Sequence, residues 1–159
     1  MSKRHRQIGL PISGIFLMVL LLIAFLQPYR LALVRGASML PTIEDRQVVL
    51  IHKKRQPNRY QLIAFEQEGK FLIKRVIGVP GDSFVRTQER LLIGAEDTDF
   101  DFSFMITVKD EAFEALPIRG YLKEDEYFVV GDALLTSSDS IEFGIISSKT
   151  FYGVVITFF

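Results

Sequence analysis

The sequence contains no cysteine and only two histidines, His5 and His52. Disulfides, thiolate catalysis and Cys-ligated metals are thereby excluded. A His-based triad or multi-His zinc site would have to use one of two poorly placed residues. What remains for covalent chemistry is a Ser, Thr or Lys nucleophile with a Lys, Asp or Glu base. Three stretches concentrate such residues: Ser38-Met39-Leu40-Pro41-Thr42, the run from Lys74-Arg75 to Pro80-Gly81-Asp82, and Gly131-Asp132 through Ser137, Asp139 and Ser140 to Gly144. Each also has an ordinary reading. Ser38, ahead of Met and Pro, begins a turn; Lys74, in the apolar run FLIKRVIGV, snorkels at a strand edge; TSSDS over 136–140 forms hydroxyl and Asx turns.

The elements that must position these residues follow from composition and pattern. A chain of 159 residues favours one domain, or one domain plus an appendage. A 48% hydrophobic content excludes a disordered chain. Equal numbers of basic and acidic residues, 19 of each, leave no basic face for nucleic acid. The charge is uneven: residues 1–7 carry Lys3, Arg4 and Arg6, and no acid precedes Glu44. Ile8–Leu26 is uncharged over 19 residues, about 28 Å as a helix, near the thickness of a bilayer core. The pattern predicts a basic cytoplasmic tail (1–7), a transmembrane anchor (8–27) and an extracytoplasmic domain (28–159). A cleaved signal peptide is the alternative, opposed by the long apolar run and a weak cleavage site near Ala37.

Beyond the anchor, short β-rich runs recur over Gln47–Ile51, Tyr60–Glu66, Phe71–Val79, Asp82–Thr87, Arg90–Ile93, Tyr127–Val130 and Tyr152–Phe158. Their spacing predicts a mainly β fold, an antiparallel sheet closed into a sandwich or partial barrel. Pro80-Gly81 is a turn signal. Residues 95–126 are acidic and poorly patterned and read as a long loop or excursion, with one helical turn over Lys109–Leu116. The terminal FYGVVITFF reads as a strand, too short to cross a bilayer as a helix.

Together, in this order behind an apolar segment, the three stretches resemble the boxes of type I signal peptidases, the Ser–Lys membrane proteases. Ser38–Thr42 fits the family form S-M-x-P-T, and Lys74–Asp82 fits K-R-V-x-G-x-P-G-D. The third box, G-D-N-x-x-x-S-x-D-S-R-x-x-G, is met at Gly131, Asp132, Ser137, Asp139, Ser140 and Gly144. Glu44–Lys53 is a weaker match to a strand box between the first two.

The resemblance implies a Ser38 nucleophile and a Lys74 general base. A lysine accepts a proton only when neutral, and its reference pKa of about 10.4 leaves it charged at pH 7. Burial disfavours the ammonium, and Phe71, Leu72, Ile73, Val76, Ile77 and Met39 supply an apolar setting. Ser137 matches the serine that orients the lysine amine, and Asp139 a nearby structural acid. The Ser38 backbone N–H is the expected oxyanion donor; the position of a second donor is occupied by Gly36, which has only its backbone to offer. Two departures stand in the third box, Ala133 for Asn and Ile141 for Arg. With that Arg missing, Arg75 is the expected partner of Asp139.

The implied reaction is endoproteolysis of exported preproteins beside the lipid bilayer, without metal or cofactor. The substrate would arrive as an extended strand flanked by Leu33, Val34 and Arg35 and by Phe71, Leu72 and Ile73. Small pockets there would admit the A-x-A pattern of signal peptides. Two alternatives share the resemblance: a relative dedicated to pilin or conjugative-pilus precursors, and a non-catalytic assembly factor that holds pilins without cutting them. Retention of Ser38 and Lys74 opposes the second. Self-cleaving Ser–Lys repressors are opposed by the apolar N-terminal span and the lack of a basic DNA-binding region. The sequence sets no oligomeric state.

Overall fold

The computed structural model describes residues 12–53, 55–67, 69–87, 90–94, 102–107, 116–133 and 144–157. Helix α1 (Ile12–Leu26) leads into eleven strands: β1 (Tyr29–Leu33), β2 (Val48–His52), β3 (Leu62–Gln67), β4 (Lys70–Gly78), β5 (Ser83–Arg86), β6 (Arg90–Gly94), β7 (Phe102–Thr107), β8 (Arg119–Tyr121), β9 (Glu126–Val130), β10 (Gly144–Ser147) and β11 (Phe151–Ile156). Every pairing is antiparallel. Seven strands form one sheet in the order β1-β2-β11-β3-β4-β9-β10, and four form a second in the order β7-β6-β5-β8.

The apolar residues explain this layering. Alternation along each strand sends successive side chains to opposite faces, so the large sheet needs cover on both. Val49, Ile51, Leu62, Ala64, Ile73 and Val155 pack with Val34, Met39 and Ile43 from the segment after β1. Ile63, Phe65, Val76, Val129, Ile146 and Val154 gather with Tyr127 in a separate cluster. The small sheet is held by Phe84, Leu91 and Ile93 against Ile77, Phe128 and Val130 of the large one. Full burial of each such side chain stabilises by about 1.5–3 kcal/mol. The Pro80-Gly81 turn is present: Gly81 has φ +89° and the Asp82 N–H donates to the Val79 carbonyl at 3.1 Å. That φ, in the second central position after Pro, is the geometry of a type II turn and explains the glycine.

The expected β runs all contain strands, and one expectation requires correction. No helix among the described residues is long and apolar enough to cross a membrane. The chain turns at Gln27-Pro28 and enters β1, which pairs with β2 from Tyr29 onward. Residues 1–11, the basic tail and the first part of the expected 8–27 span, lie outside the described residues. The correction concerns residues 95–126. This stretch holds β7, paired with β6, and β8, paired with β5. The helical turn expected over Lys109–Leu116 lies outside the described residues up to 115.

Candidate active site

Ser38 sits at the start of a tight turn whose apolar residues fix it to the core. Met39 and Ile43 are fully buried, and the Ile43 N–H donates to the Met39 carbonyl at 2.9 Å. The peptide bond Leu40–Pro41 is cis. Burying Met39 and Ile43 turns Ser38 outward, and it is exposed. Lys74 lies in the middle of β4, opposite Ile63 of β3. It is only 4% exposed, which removes the snorkelling alternative, because that reading keeps the amine in water.

The third stretch joins these two. β9 pairs with β4 at Arg75 and Val76, ends at Val130, and the chain then crosses in front of Lys74. Gly131 occupies the crossing. A Cβ there would stand 2.7 Å from the Ser38 carbonyl oxygen and 3.4 Å from Lys74 Nζ. Those two distances laid end to end bring the amine within about 6 Å of that carbonyl oxygen. The Ala133 N–H donates to the same Ser38 oxygen at 3.1 Å, fixing the turn that bears Ser38 against residues 131–133. Glycine is required at 131 because any larger residue would overlap the Ser38 backbone.

An ion-pair network connects the three sequence stretches a second time. Arg75 holds Asp132 with two parallel bonds, Nε to Oδ1 at 2.7 Å and Nη2 to Oδ2 at 2.5 Å. The Thr42 hydroxyl donates to Asp132 Oδ2 and accepts from Arg75 Nη2 at 3.1 Å. Arg75 Nη1 donates to the Tyr60 carbonyl at 2.7 Å. The fork geometry of guanidinium on carboxylate suits this pairing. The hydrogen bond to Asp132 raises the Arg75 pKa above its ordinary value, against the desolvation that burial imposes. Among the described residues the carboxylate held by Arg75 is thus Asp132. Asp132 lies next to Gly131, where the β4–β9 register presents it to Arg75; Asp139 and Ser137 lie outside the described residues.

The remaining expected site residues divide. Val34, Met39 and Ile73 share one core cluster, while Leu33, Arg35 and Phe71 are exposed and Leu72 is half-buried. β9 leaves the edge of β4 at residues 71–73 without a strand partner among the described residues, and β1 is the end strand of its sheet. The Gly36 expectation is corrected. Its N–H donates to Asp45 Oδ1 at 2.8 Å, so a carboxylate already occupies that donor. Arg59 was not foreseen. It braces the turn after β4, donating to Asp82 Oδ1 at 2.5 Å and to the Ile77 carbonyl at 2.8 Å. Its position in the QPNRY loop gives no pattern that would mark it.

Comparison with known proteins agrees with this assembly of motifs. The family model described as signal peptidase, peptidase S26, matches residues 6–159. Signal peptidase I of Streptococcus pneumoniae serotype 4 is 27% identical over 178 residues, covering 88% of this chain and 87% of its own. Signal peptidase I V of Bacillus subtilis strain 168 is 30% identical over 135 residues, covering 77% and 80%. A crystal structure of a signal peptidase I from Enterococcus faecalis V583 aligns at 27% identity with a TM-score of 0.41, over 63% of this chain and 97% of that one. With the family model spanning the sequence from residue 6 to its last residue, the chain belongs to the signal peptidase family, peptidase S26, and is a serine peptidase.

Proposed function

We propose that the chain cleaves signal peptides from exported preproteins, with Ser38 as nucleophile and Lys74 as general base. The observation that carries this reading is the buried Lys74 amine beside Gly131, against the turn that bears Ser38. Burial strips water from an ammonium and so favours the neutral amine, the form able to take a proton. Lys74 Nζ removes the Ser38 hydroxyl proton as Oγ attacks the scissile carbonyl carbon. The negative charge on the carbonyl oxygen is met by the Ser38 N–H. Collapse expels the new N-terminal amine, which takes the proton from Lys74. A water, deprotonated by Lys74 Nζ, then attacks the acyl carbon, and Ser38 Oγ leaves with the proton that Lys74 returns.

The substrate enters extended, since a helix hides its carbonyls in hydrogen bonds. The outer edge of β1 and the open edge of β4 at Phe71–Ile73 are the main-chain partners it needs. Val34, Met39 and Ile73 form the apolar floor that admits only small side chains before the cleaved bond. Ser137 and Asp139 support the lysine from the third stretch. The exposed apolar side chains of α1, Ile15 to Leu26, lie in lipid and hold the site at the membrane surface, where a signal peptide's hydrophobic segment ends.

The test is incubation of the purified chain with a preprotein, followed by sequencing of the new N-terminus. Cleavage directly after an A-x-A site is expected. No cleavage, or cleavage without regard to small residues, would refute the proposal.

A further inference from the structure

The substrate cleft has a charge at its rim that the reaction does not use. Arg35 stands three residues before Ser38 and is exposed, and its side chain makes no hydrogen bond or ion pair with the described residues. Of the acidic pair Glu44-Asp45 that follows, Asp45 is otherwise engaged. Asp45 Oδ1 accepts the Gly36 N–H at 2.8 Å and Oδ2 lies 3.7 Å from Arg46 Nε.

The backbone around Arg35 fixes which way it faces. The Val34 N–H donates to the Gln47 carbonyl at 2.9 Å, and the Val34 carbonyl accepts the Arg46 N–H at 2.9 Å. Hydrogen-bonding direction alternates along a strand, so the main-chain groups of Leu33 and Arg35 turn to the open edge. Side chains alternate as well. Val34 is buried with Met39 and Ile73, whereas Leu33, 54% exposed, and Arg35 stand on the opposite face. An extended substrate added at this edge obeys the same alternation. If the two alanines of A-x-A point toward the Val34 floor, the middle residue points to the side of Leu33 and Arg35.

Resting on the peptidase reading above, we infer that Arg35 is a specificity-determining residue that reads the middle position of A-x-A and favours an acidic side chain there. A carboxylate at that position gains an exposed charge pair, and a lysine meets a like charge. The preference is modest and weakens as salt is added.

The experiment compares three detergent-solubilised peptides that differ only at the middle residue, Ala, Glu or Lys, without lipid vesicles. Wild type is expected to show a kcat/KM about threefold higher for Glu than for Lys. Arg35→Gln should bring the two together, and Arg35→Glu should invert their order. Equal treatment of Glu and Lys by wild type, with the Ala peptide cleaved, would overturn this inference and leave the peptidase reading intact. Cleavage of none of the three would overturn both. A loss that is the same for all peptides in Arg35→Glu would mark Arg35 as structural, and a Glu-over-Lys preference seen only in a parallel assay with anionic vesicles added would assign it to lipid; either refutes the assignment.

Discussion

At the scale of single residues, Gly131, Lys74 and the Arg75–Asp132 pair each make a separate demand. Gly131 has no room for a side chain between the Ser38 carbonyl and Lys74 Nζ. Gly131→Ala should therefore push the Ser38 turn away, lowering kcat/KM at least tenfold while costing about 1–2 kcal/mol in a denaturant melt. A fully active Gly131→Ala would show that this close approach is dispensable. As the proposed general base, Lys74 must be neutral to act. Activity should fall as the solution is acidified, because protonation removes the base, and Lys74→Arg should be inactive across the pH range, since a guanidinium is not deprotonated in proteins. Arg75 and Asp132 bear opposite charges on strand and loop, half-buried and doubly bonded. Arg75→Ala leaves a desolvated carboxylate without its partner and should cost about 3 kcal/mol, read by thermal or chemical unfolding. A cost near that of a surface pair would show the network to be solvated.

At the scale of elements, the site depends on where strands stop. β9 ends one residue before Gly131, and β4 continues past that end, so Lys74 faces a crossing loop where a ladder would otherwise continue. The turn after β4 is braced by Arg59 and Asp82, whose side chains are 20% and 4% exposed. Arg59→Ala should destabilise the fold by about 3 kcal/mol while kcat of the folded fraction is retained; loss of kcat without loss of stability would give Arg59 a role in the site itself. The strands that were legible, such as LIAFEQ of β3 and FLIKRVIG of β4, are those covered on both faces, where continuous apolar runs arise. β8 has only Arg119-Gly120-Tyr121, too short to register a period. β7 is flanked by acids that gave the stretch a loop's composition, although pairing with β6 makes it a strand. β1 follows the apolar segment so closely that its Tyr-Arg start reads as a membrane-interface signal. The site itself was more legible than the elements, because Ser38, Lys74 and Gly131 are fixed by local spacing in motifs. The Arg75–Asp132 pairing was not, since it depends on a β4–β9 register that joins residues 57 positions apart.

At the scale of the whole molecule, the strands and α1 meet very different surroundings. The strands bury their apolar side chains in three clusters, whereas Ile15, Leu21, Leu22 and Phe25 of α1 are about half exposed or more. This apolar surface, uncovered by the described residues, is the one that the proposed membrane attachment uses. Replacing those four residues with Ser should release the protein from membrane fractions, since each buried side chain contributes about 1.5–3 kcal/mol, while a detergent-solubilised peptide is still cut. Retention in the membrane fraction would assign attachment to another surface. The most direct test of the central claim is the kcat/KM of Ser38→Ala and Lys74→Ala on a preprotein, in variants whose unfolding curves match wild type. Each should lose about four orders of magnitude or more, and the double variant should lose no more than either alone. Substantial turnover in either single variant would contradict the dyad.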